Sequence, residues 1–291
     1  MGFFEALPHS IFLQTALATG LLASIACGVV GSFVVTRRIT YIAGSVAHCV
    51  LGGVGFARYM QTVHGWTYFN PLLGALLAAI GSALLIGWVT LRAKDREDTI
   101  IGATWAVGMA IGILFITKTP GYNENLMSYL FGNILLVSRS EVWLVVLLDL
   151  FVVGISFLFY KKFLAICFDE EFARLRGVRV EFYYLLLLCL TALTVVLLTT
   201  VVGIILVIAL LTLPAAIAGL FSKTLFQMIV WGCLLCGVLT VGGLTVSYDL
   251  NLPPGATIIV MAGVAYLVAV LFRSMVLPRI LSKQSDQPSS S

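Results

Sequence analysis

FYYLLLLCLTALTVVLLTTVVGIILVIALLTLPAAIAGLF, residues 182–221, contains no Asp, Glu, Lys or Arg. About 20 apolar residues in a helix cross the roughly 30 Å hydrocarbon core of a bilayer. This stretch is therefore two spans run together, 182–202 and 203–221, with only Gly203 between them. Similar runs recur on either side. Before it lie 11–35, 40–60, 71–91, 99–117 and 142–160, and after it 225–248 and 255–272. The runs are continuous and rich in Leu, Val and Ile, whereas a transmembrane β-barrel would alternate over segments of about ten residues. The reading is an all-α polytopic membrane protein of nine spans, or eight if one is split wrongly.

The composition agrees. The chain of 291 residues is 60% hydrophobic and only 10% charged, against roughly a quarter charged in a soluble domain. MGFFEALPHS has no Lys or Arg ahead of the first run. That run, Ile11 to Val35, is longer than a signal-peptide core and reads as a retained span. Residues 1–273 form a single membrane domain, and 274–291, ending KQSDQPSSS, read as a disordered polar tail. LMSYLFGNILLVS (126–138) is too short to cross and reads as a re-entrant or interfacial piece.

The basic residues set an expected orientation. With the N-terminus outside and the C-terminus inside, 14 of the 17 Lys and Arg fall in cytoplasmic segments, all except Arg58, Lys118 and Arg139. The net charge of +4 then needs no nucleic-acid partner. RAKDRED (92–98) reads as a solvated turn. In YKKFLAICFDEEFARLRGVRVE (160–181), Asp169, Glu170 and Glu171 precede Arg174, Arg176 and Arg179, the order that suits a helix dipole. Phe172 and Leu175 share one face and Gly177 can end the helix. A short amphipathic helix at the cytoplasmic surface is expected, either as a plain solvated segment or as a docking element.

Ionisable side chains inside a membrane are costly and point to function. His48 lies in ITYIAGSVAHCVLGGVG (39–55), the second span, and Asp149 in the fifth. Asp249 ends the eighth. A neutral imidazole is a common ligand for divalent transition metals. Gly44 and Gly52, one turn before and after His48, share its face and either permit close helix approach or leave room for an ion, as small residues lining a pore. Cys49 points about 100° away and is a weaker co-ligand. Asp149 has no basic partner in its own span; protonation, pairing across helices or lining a path are all open to it. The six cysteines lie mostly in apolar runs, so no disulfide framework is expected, and the CxxC of Cys233 and Cys236 reads as small-residue packing. There is no GxSxG, HExxH or Walker A sequence, so the chain is not read as an enzyme, and any ATP energy comes from another chain.

Several segments together resemble the ABC-3 family, the membrane permeases of bacterial ABC importers for zinc, manganese and iron. GSVAHCVLGG (44–53) is similar to its D-A-x-S-H-A motif, and EDTIIGATWAVGMAIGILF (97–115) to its charged approach to a glycine-rich span. LMSYLFGNILLVS, FDEEFARLRGV (168–178), GIILVIALLTLPAAIAG (203–219) and LPPGATIIVMAG (252–263) resemble further family segments in the same order. The resemblance implies a type II importer-like subunit in the bacterial inner membrane. It implies a second permease, identical or paralogous, a cytosolic ATPase dimer, and a periplasmic or lipoprotein metal-binding protein. Phe168, Asp169, Glu170, Glu171, Phe172, Ala173, Arg174 and Gly177 would form the coupling helix that seats on the ATPase. His48 would be a transient metal ligand, with Asp149 and Cys49 as lesser candidates. The metal is cargo; no permanently bound cofactor is expected.

The family often carries Asp where this chain has Gly44. Losing a hard oxygen ligand disfavours manganese more than zinc, so zinc is the expected cargo, with manganese and iron open. A paralogous permease supplying the carboxylate is the counter-reading. Two other functions are open on sequence: a permease for a metal chelate such as a siderophore, haem or corrinoid, and a proton-coupled carrier using Asp149 and His48.

Overall fold

A computed structural model describes residues 2–92, 97–120 and 137–285, with side chains as far as 275. Most of RAKDRED and of LMSYLFGNILLVS, the expected re-entrant piece, lies outside these residues. Among the described residues there is no strand, and nine helices are long and apolar enough to cross a membrane. A short helix, α1 (Phe3–Ala6), precedes α2 (Ile11–Thr36), α3 (Thr40–His64), α4 (Pro71–Arg92) and α5 (Glu97–Lys118). Then come α6 (Arg139–Leu158), α7 (Tyr160–Phe168) and α8 (Glu170–Leu175). The last four are α9 (Val180–Val202), α10 (Ile204–Phe221), α11 (Leu225–Leu250) and α12 (Pro254–Ser285). The spans match the sequence boundaries to within a few residues, except at the end. The helical backbone of α12 runs to Ser285, into the stretch expected to be a disordered tail. RSMVLPRILSK (273–283) keeps apolar residues four apart, which suits a helix.

Local chemistry fixes the ends. Ser10, Ser138 and Thr224 cap α2, α6 and α11 by accepting the N–H of Leu13, Glu141 and Gln227, and Glu141 returns a bond to the Ser138 N–H. Proline occupies the first position of α4 and α12, where its missing N–H costs nothing. Between α9 and α10 there is only Gly203, at φ 91°, a conformation that a side chain would strain.

Burial shows which helices make the core. In their most apolar windows α2 and α3 are 72% and 78% buried, against 17% for α5 and α12. α2 packs among α6, α10 and α11, while α3 lies between α4 and α5. α3 and α4 approach so closely that a Cβ on Gly53 would land on the Gly74 carbonyl oxygen. Pro214 inside α10 frees the Leu210 carbonyl one turn earlier. The Cys236 thiol donates to that oxygen at 3.8 Å, and the Cys233 thiol to the Ile25 carbonyl at 3.6 Å. Each thiol of the CxxC thus addresses the backbone of a neighbouring helix, and both are free thiols. Asp249 is also accounted for. Its Oδ1 accepts the Phe3 N–H at 3.0 Å, and the Phe3 ring meets the Tyr248 ring edge-on at 5.9 Å, so the carboxylate pins α1 to the end of α11.

Candidate metal path and coupling helix

His48 is eight residues past Thr40 on α3, and Trp105 is eight past Glu97 on α5. As alternate spans these helices run parallel, and both side chains stand about 12 Å along the axis from the same end. They stack, with ring centroids 4.4 Å apart and planes 18° from parallel. The His48 ring is half-buried, and its Nδ1 is buried with no hydrogen-bond partner in the protein. An unsatisfied buried nitrogen costs roughly 1–3 kcal/mol, which a cation or water would relieve.

The neighbours of His48 hold α3 to α5. Ser45 Oγ donates to the Ile101 carbonyl at 3.0 Å, and Cys49 Sγ to the Thr104 carbonyl at 3.2 Å. The Cys49 thiol is thereby committed to the α5 backbone. Cys49→Ala is expected to transport within about twofold of wild type, the lost bond being worth roughly 1 kcal/mol. A collapse of uptake in this variant, with normal protein levels, would make the thiol a ligand after all.

Gly44 and Gly52 both pack against α5, and Gly52 also edges an open cavity. A Cβ on Gly44 would stand 3.3 Å from Cζ3 of Trp105, and one on Gly52 2.7 Å from the Gly108 carbonyl oxygen. Their small size serves close helix approach. Trp105 occupies the space beside Gly44 into which an Asp side chain would project. A cavity of about 360 Å³ opens between α3, α4 and α5, lined by Gly52, Phe56, Phe69, Leu77 and Ile111 with Cys49 and Ser82. Such apolar walls do not suit a hydrated cation.

Asp149 is buried on α6 and turned to α2, where its Oδ1 accepts the Ala26 N–H at 3.2 Å; Oδ2 is buried without a partner. It is not brought to His48, which faces α5. Among the described residues no three His, Cys, Asp or Glu side chains gather into a group able to hold a metal.

The 160–181 segment folds as two short helices broken at Asp169. The Asp169 carboxylate caps α8 by accepting the Phe172 N–H at 2.9 Å. Gly177, at φ 75°, ends it: the Val178 N–H reaches the Ala173 carbonyl and the Gly177 N–H the Arg174 carbonyl, both at 3.0 Å. Ala173 faces inward, while Phe168, Phe172 and Leu175 are 69%, 52% and 87% exposed. Glu171 is exposed, and Arg174 pairs with Glu181 at 2.8 Å on the surface, a contact worth at most about 1 kcal/mol. Glu170 pairs with Arg37. Behind α8, burial pushes the Cys167 thiol up to about 12, against a smaller opposite pull from the Arg37 guanidinium.

The ABC 3 transport family matches residues 9–273. The chain belongs to that family. It is 46% identical to an uncharacterized membrane protein of Synechocystis sp., over 90% of this chain and 91% of that one. It is 37% identical to the manganese transport system membrane protein MntC of Listeria monocytogenes, over 94% of each. PsaBC of Streptococcus pneumoniae, solved in complex with a Fab, superposes with a TM-score of 0.80 at 30% identity, covering 92% of this chain and 94% of that chain. The ABC 3 chain described here is thus a multi-pass membrane permease of a metal transporter of the ABC type, and not an enzyme. Two of its features escape the sequence. Trp105 beneath His48 has one signal, the equal count of residues from the start of two parallel spans. The Arg37–Glu170 pair joins segments too distant in sequence for any spacing rule.

Proposed function

We propose that this chain imports a divalent transition metal, manganese ahead of zinc, with His48 as a transient ligand on the path. The observation that carries the proposal is the His48 Nδ1, buried and unsatisfied within a span. A single imidazole per subunit suits a site that must release its ion, where a closed four-ligand cage would not. The preference for manganese rests on the names of relatives such as MntC. Gly44, the residue that favours zinc, has a packing reason in the indole of Trp105 beside it.

Energy would come from an ATPase seated on α8, and the ion from a metal-binding protein on the opposite side, with the N-terminus outside. A second copy of the permease, or a paralogue, would complete the path. Support for the ATPase seat comes from Phe172 and Leu175, apolar side chains left exposed on a helix capped at both ends, and from the exposed Phe168 that ends α7 just before it. Burying one such side chain is worth about 1.5–3 kcal/mol, so Phe172→Asp is expected to weaken ATPase association at least about tenfold. The test reconstitutes the purified complex in vesicles and follows ATP-dependent uptake of manganese and zinc with the metal-loaded binding protein. Uptake of neither ion sinks the reading. Uptake of zinc without manganese reverses the order. Phe172→Asp retaining full ATPase would move the docking surface off α8.

A further inference from the structure

The turn between α2 and α3 is built as tightly as the end of α8. The Arg38 N–H bonds the Val35 carbonyl at 3.1 Å and the Ile39 N–H the Val34 carbonyl at 3.0 Å, closing α2 with a left-handed residue. That residue is Arg38, at φ 62°, where glycine would sit without strain. α3 begins at Thr40, so no slack separates Arg37 from the helix that carries His48. The Arg37 guanidinium reaches away from this turn. Its Nη2 contacts Oε1 of Glu170, the first residue of α8, and its Cζ stands 5.4 Å over the Tyr184 ring of α9. The two paired side chains are only 22% and 25% exposed, where the Arg174–Glu181 pair is 64% and 55% exposed. Solvent screens the first pair far less than the second. Beneath it the Phe33 ring of α2 meets the Phe163 ring of α7 edge-on at 5.4 Å. The docking element therefore grips the α2–α3 turn through one guanidinium, while α7 just before it meets α2 through one aromatic contact.

We infer that Arg37 is the positioning residue through which displacement of α8 moves α3 and its histidine. The inference rests on the proposed coupling role of α8 and adds the link by which motion leaves it. Arg37 touches neither the ion nor the ATPase in this scheme; its loss separates hydrolysis from transport.

The experiment uses the reconstituted complex and expresses uptake as metal moved per ATP hydrolysed. Arg37→Ala is expected to keep the ATPase bound and hydrolysing while the ratio falls about tenfold, the size of an ordinary coupling energy. Arg37→Lys keeps the charge but loses the planar fork over Tyr184, so its ratio falls between the two. Glu170→Arg added to Arg37→Glu is expected to recover most of the ratio that Arg37→Glu alone loses. A wild-type ratio in both Arg37→Ala and Arg37→Lys overturns the inference, and so does a swapped pair that recovers nothing. Where Arg37→Ala fails to accumulate, Arg37→Lys and the swapped pair carry the decision. An ATPase absent from the wild-type complex would instead defeat the permease reading itself, a result visible before any Arg37 variant is measured.

Discussion

His48→Ala is expected to lower metal uptake at least about a hundredfold while the complex still assembles. Even partners that merely orient a metal ligand cost 10–100-fold when removed, and here the ligand itself goes. Packing gives little reason for misfolding, since the ring is half-buried and faces one indole. His48→Gln keeps a polar side chain of similar reach but offers an amide in place of the imidazole nitrogen. It should fail nearly as badly, which separates ligation from space-filling. Binding of the ATPase and the amount of permease in the membrane are the controls. Normal uptake in His48→Ala would end the ligand assignment and leave the stacked pair as a packing feature.

Gly53→Val should act on the fold instead. A Cβ there meets the Gly74 carbonyl oxygen directly, and the reciprocal Cβ on Gly74 would stand 2.7 Å from the Ala57 Cβ. Neither is the far end of a flexible side chain, so α3 and α4 must separate along their whole contact. Overpacking usually costs 1–3 kcal/mol, and a backbone obstruction falls at or above about 3 kcal/mol. The expected result is a permease that unfolds at clearly lower temperature in detergent, or is lost from the membrane. Gly81→Val on α4, where a Cβ meets nothing within 4 Å, is the matched control and should change little. Equal stability of the two variants would show that the glycine contact is not what holds these helices.

The spans were legible because hydropathy reports burial in lipid directly, residue by residue. The end of α8 was legible for a similarly local reason, since Gly177 acts within one turn of itself, whereas the break and cap at Asp169 were not read. What the sequence hides is pairing between helices. Gly44 and Gly52 suggested close approach or room for an ion, and only the position of α5 shows that both meet it while Gly52 also edges a cavity. Asp249 drew notice as an ionisable group at a span end, yet it binds an amide 246 positions away. The cysteines of the CxxC looked like filler, but Cys236 meets a carbonyl freed by a proline on another helix. Each depends on which face of one helix meets which face of the next, and periodicity alone leaves that open.

Gly203 has a further consequence for how this chain tolerates change in length. With one residue between α9 and α10, the rotation of α10 about its own axis is set by counting from α9. Gly31 of α2 receives the Leu211 carbonyl of α10 where a Cβ would stand. One residue inserted at the junction would turn α10 by about 100° and slide it about 1.5 Å, carrying that carbonyl out of its notch. The junction works as an indexed key, and a single codon gained or lost there would misalign a helix without altering the composition of either span.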